Sequence, residues 1–178
     1  MAPVEKRLYR TDPDTQVLVQ TQRPSGEAHG QIILVHGLEG SADAGYMQSL
    51  AHHGLEAGYA VHRLNLRGCG GTEHLAKTAY HAGLTGDLLA VLRTLAGENQ
   101  APLWLVGFSL GGNLVAKLAG ELGDDGPALL AGVCAASAAL DLAACARRIN
   151  QPDQQFLRIP LPVQDARPGA VGVARHSG

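Results

Sequence analysis

No run of apolar residues in this 178-residue chain approaches the roughly 20 that a bilayer-spanning helix needs, so a transmembrane segment is not expected. An excess of one charge is lacking too. Lys and Arg number 14 against 16 Asp and Glu, which leaves neither a basic face for nucleic acid nor a polybasic tract for anionic lipid. Cysteine is scarce: Cys69, Cys134 and Cys145 are odd in number and without paired spacing, which argues against a disulfide framework and for a reducing compartment. Residues 1–10 mix Glu5, Lys6, Arg7 and Arg10 with few apolar side chains and contain no signal-peptide core. A soluble, cytoplasmic protein with no nucleic-acid partner is the expectation. Neither a metal nor a cofactor is expected: His52, His53, His74 and His81 have no further ligands at metal spacing, and residues 68–71 lack Gly-x-Gly-x-x-Gly and a Walker lysine.

What the chain does have is 46% hydrophobic residues, enough for one domain with a real core, arranged as alternating strand and helix patterns. Residues 16–20 read as a strand, followed by a Pro-, Ser- and Gly-rich turn. Residues 31–36 are a continuous apolar strand of the kind covered on both faces, and so central. Tyr46, Met47, Leu50 and Leu55 mark a helix ended by Gly58, and residues 60–66 alternate like a strand. Leu84, Leu88, Val91, Leu92 and Leu95 define another helix. Residues 131–136 read as a further buried strand, and Asp141 as the cap of a helix running towards Asn150. Alternation at this spacing predicts an α/β fold with a doubly wound, mostly parallel sheet over residues 1–150. Residues 151–178, with Pro152, Pro160, Pro162, Pro168 and three glycines, keep no period and read as an irregular, disordered tail.

The most informative stretch is Gly107-Phe108-Ser109-Leu110-Gly111-Gly112, behind the apolar run Leu103-Trp104-Leu105-Val106 and ahead of Leu114, Val115, Leu118 and Ala119 at helical spacing. A Gly-x-Ser-x-Gly at a strand-to-helix joint is a nucleophile elbow, which lifts the hydroxyl clear of the sheet and makes Ser109 the candidate nucleophile. Gly107 and Gly111 are needed because the strained serine draws neighbouring backbones together, where a Cβ would collide. The bland alternative is an ordinary Gly-rich turn. Against it stands a second motif, His36-Gly37-Leu38-Glu39-Gly40-Ser41, directly after the central strand. In a fold of this kind such a loop supplies one oxyanion donor and the residue after the nucleophile the other, here the Leu38 and Leu110 amides. Gly37 lets the backbone turn. His36 reads as a hydrogen-bonder shaping the loop rather than as a base. Cys69 reads as a packed small side chain rather than a reactive thiol, and Arg67 as either a loop anchor or a solvated cation.

Together with Arg63-Leu64-Asn65-Leu66-Arg67-Gly68-Cys69-Gly70-Gly71 and Asp141-Leu142-Ala143-Ala144-Cys145, these motifs make the chain resemble the YheT-like branch of the α/β-hydrolases over about residues 31–150. The resemblance implies an esterase or acylglycerol-type lipase acting on a small ester or lipid. The family's lid, triad acid and triad His segments have no counterpart here, so a truncated, partial α/β-hydrolase fold is expected. The alternative to a serine hydrolase is a non-catalytic remnant or binding module. Downstream of Ser109 the chain offers His176, with which Asp165 could pair, while Asp141 is already explained as a helix cap.

Overall fold

All the strands but the first form where apolar runs predict them, and the run most apolar throughout lies inside the sheet. In this computed structural model the described residues are 2–153. Six strands, β1 (Glu5–Asp12), β2 (Thr15–Gln22), β3 (Gly30–Val35), β4 (Tyr59–Leu64), β5 (Leu103–Phe108) and β6 (Gly132–Ala136), form one sheet in the order β1-β2-β4-β3-β5-β6. β3 runs parallel to β4 and β5, and β5 parallel to β6, whereas β1 and β2 form an antiparallel hairpin that joins β4 antiparallel. The chain divides into two units, one ending at Leu140 and one beginning at Asp141.

Alternate residues of β3 feed opposite cores, as the two-residue period of a strand requires. Leu34 packs with Val61, Met47 and Ala51, which places helix α1 (Gly45–Glu56) on one face. Ile33 and Val35 pack with Leu64, Leu105, Leu88, Val91, Leu92, Leu114 and Leu118, so helices α2 (Gly86–Glu98) and α3 (Leu110–Leu122) cover the other. Burying each such leucine contributes about 2 kcal/mol. The doubly wound α/β architecture is therefore as expected. α1 stops where anticipated: the Ala57 and Gly58 amides bond back to His53 and Leu55, and Gly58 turns the chain at φ +82°. A short helix α4 (Gly126–Leu129) precedes β6, and in the second unit Asp141 caps α5 (Leu142–Ile149), its Oδ1 accepting from Ala144 N–H at 2.8 Å.

Three features depart from the sequence reading. β1 was not expected, because only Leu8 and Tyr9 in Glu5–Asp12 are large and apolar. Strand β6 is not buried: Val133 is 37% exposed and Cys134 is exposed, because β6 ends the sheet and only β5 pairs with it among the described residues. β4 does not alternate in burial. Residues 60–64 are all buried, and its polar side chains are hydrogen-bonded internally: His62 to Thr21 and Gln31, Arg63 to Gln20 and the Ala42 carbonyl.

Candidate active site

Ser109 lies between the end of β5 and the first residue of α3, with φ 52° and ψ −115°, a left-handed conformation that costs a non-glycine residue roughly 1–3 kcal/mol. Ladder and helix hold it there: its N–H donates to Ala136 O at 2.9 Å, and its carbonyl accepts from Asn113 N–H at 3.1 Å. The side chain makes no capping bond and the residue is exposed. Both flanking glycines are obligatory. A Cβ on Gly107 would fall on the Gly111 carbonyl, and one on Gly111 would fall on the Val35 and His36 carbonyl oxygens. These contacts also explain how β3 and the elbow are drawn together.

That proximity brings the His36 loop to Ser109. A Cβ placed on Gly37 would lie 3.2 Å from Ser109 Cβ and 3.7 Å from its Oγ. His36, expected to shape this loop, is fully buried. Its Nε2 accepts from Leu66 N–H at 3.0 Å, so Nδ1 carries the proton and donates to Gly37 O at 2.7 Å. Burial keeps His36 below the usual histidine pKa, which preserves this neutral tautomer. Gly40 N–H donates to the same carbonyl at 3.1 Å. Gly37 C=O and Leu38 N–H belong to one planar trans peptide, so two donors on the oxygen fix the direction of the amide. Leu38 itself is 55% exposed, Leu110 partly so.

The other candidates resolve differently. Arg67 is an anchor, 7% exposed, and donates to Asp87, Asp12 and Thr78. Cys69 is a packed side chain whose thiol burial pushes up to about 11, well away from a thiolate at neutral pH. His52 and His53 sit exposed on α1 beside Glu56. Among the described residues no group of three His, Cys, Asp or Glu could hold a metal, and no helix is long and apolar enough to cross a membrane. Asp165 and His176, and residues 154–178 of the expected tail, lie outside the described residues. Tyr46 and Tyr80, not legible as site residues in the sequence, also touch the loop: their hydroxyls accept from Gly37 N–H at 3.1 Å and Glu39 N–H at 2.8 Å. No spacing rule announces such contacts.

A family model described as the alpha/beta hydrolase fold matches residues 30–177. The chain is 35% identical over 127 residues to the candidate esterase YheT of Escherichia coli (strain K12), covering 70% of this chain and 37% of that protein. It is 29% identical over 145 residues to the phospholipase ABHD3 of Homo sapiens, covering 81% of this chain and 34% of that one. Among solved structures, an alpha-beta serine hydrolase homologue from Coxiella burnetii superposes with a TM-score of 0.58 at 30% identity, covering 69% of this chain and 60% of that one. The chain thus spans about a third of the length of these two curated relatives.

Proposed function

This chain belongs to the α/β-hydrolase fold family, and on that premise we propose that it is a serine hydrolase acting on carboxylic esters of acylglycerol or short-chain type, with Ser109 as nucleophile. One observation carries the reading: an exposed serine in a strained turn, with the Gly37 backbone packed against its side chain. Ser109 Oγ attacks the ester carbonyl carbon. The carbonyl π pair moves onto oxygen, where the Leu38 and Leu110 N–H groups stabilise it, each worth roughly 3 kcal/mol in such sites. Collapse expels the alcohol, which takes a proton as it leaves, and water then hydrolyses the acyl-enzyme. The acylglycerol arm draws on the similarity to a phospholipase, the short-chain arm on the similarity to a candidate esterase.

The Ser109 proton needs a base, and among the described residues the two buried histidines, His36 and His62, are committed elsewhere. In this reading the base is therefore a group other than His36 and His62. The same observation favours a second reading, a non-catalytic binding module. Labelling with a fluorophosphonate probe separates the two: the hydrolase reading expects covalent labelling that is lost in Ser109→Ala, and an unlabelled chain supports the binding module.

A further inference from the structure

The loop that follows β3 offers three consecutive amides, and the outer two are taken. Gly37 N–H donates to Tyr46 Oη at 3.1 Å, and Glu39 N–H donates to Tyr80 Oη at 2.8 Å. The Leu38 N–H between them has no acceptor among the described residues. Resting on the serine-hydrolase reading above, we infer that Tyr46 and Tyr80 are positioning residues: they occupy the two flanking amides so that the loop presents a single donor, Leu38 N–H, to the oxygen developing on the substrate.

Each tyrosine is tied to the element that carries Ser109. The Tyr46 ring packs edge-on against Phe108, with centroids 5.2 Å apart, and Phe108 is the residue before Ser109. Tyr80 lies between residues 78 and 82, which are held at both ends: Arg67 Nη1 donates to Thr78 Oγ1 at 2.7 Å, and Asn113 Nδ2, in the first turn of α3, donates to Ala82 O at 2.9 Å. Loop and nucleophile thereby share one frame. The clamp also offsets local strain, because Glu39 sits at φ +53°, where a non-glycine residue needs external contacts to stay. The Tyr80 hydroxyl supplies two of them, accepting from Glu39 N–H and donating to Glu39 Oε1 at 3.3 Å. Burial pushes this phenol up to about 12, so both bonds persist at neutral pH.

The test uses the full chain, ¹⁵N-labelled, as wild type and as Tyr46→Phe and Tyr80→Phe, which remove one oxygen each and keep the rings. Amide hydrogen exchange is expected to speed up roughly tenfold at Glu39 alone in Tyr80→Phe and at Gly37 alone in Tyr46→Phe, with Leu38 fast in all three. The rate of Ser109 phosphonylation is expected to fall about tenfold in each variant, with both variants still folded at the assay temperature. Unchanged exchange at Glu39 in Tyr80→Phe, a protected Leu38 amide, or phosphonylation at the wild-type rate overturns the inference. Absence of phosphonylation in the wild type overturns the serine reading and the oxyanion role together, while the exchange pattern still decides whether the hydroxyls hold the amides.

Discussion

Two buried histidines show how the same side chain is set in opposite ways by its partners. His36 donates from Nδ1 and accepts at Nε2, whereas His62 accepts at Nδ1 from the Thr21 hydroxyl at 2.9 Å and donates from Nε2 to Gln31 Oε1 at 3.1 Å. Both are neutral when folded. Burial lowers His62 to about 4, and His36 below its ordinary value. The unfolded chain takes up a proton near pH 6.5, so the stability from a neutral His62 is complete above that pH and lost as pH falls towards 4. The loss amounts to about 3 kcal/mol in all. Urea unfolding between pH 7 and pH 4.5 is expected to show this decline, and His62→Gln to flatten it. An identical slope in the variant contradicts the assignment. Neither histidine stood out in the sequence as buried and proton-poor, since a lone His in an apolar run says nothing of its partners.

At the scale of elements, the joint around Arg67 decides whether loops and helices keep their places. Its guanidinium makes a two-pronged contact with Asp87, at 2.9 and 2.7 Å, and reaches Asp12 at 2.7 Å. That links the end of β1, the segment after β4 and the first turn of α2, where a carboxylate also suits the helix dipole. Arg67→Met strands a carboxylate that is 4% exposed and is expected to cost about 3 kcal/mol. Combining it with Asp87→Leu is expected to recover most of that, because a buried ion pair replaced by apolar groups is often nearly neutral. Chemical denaturation of the single and double variants checks both values, and a single variant costing under about 1 kcal/mol refutes the joint. The sequence left Arg67 undecided between anchor and solvated cation, since its partners lie 20 and 55 positions away. Elements held by local periodicity were legible: α1, α2, α3 and the central β3. β1 was not, because an edge strand needs few apolar residues once β2 supplies its ladder. The exposure of β6 was equally hidden, as its composition is that of an interior strand and only its place at the sheet edge uncovers it.

For the whole molecule, the α/β sheet brings to one point two motifs separated by about seventy positions, and that convergence carries the functional proposal. The elbow and the His36 loop could each be read in the sequence because their glycines answer to steric demands: the sites opposite Gly107 and Gly111 are filled by backbone. The tyrosine hydroxyls and the orientation of the Gly37 peptide could not, because they depend on contacts across the fold. The most direct measurement is a crystal structure of the chain after reaction with a fluorophosphonate. Phosphorus is expected to be bonded to Ser109 Oγ, with its free oxygen within about 3 Å of both the Leu38 and Leu110 nitrogens. An adduct on another residue, no adduct, or an oxygen turned away from those amides would contradict the proposal.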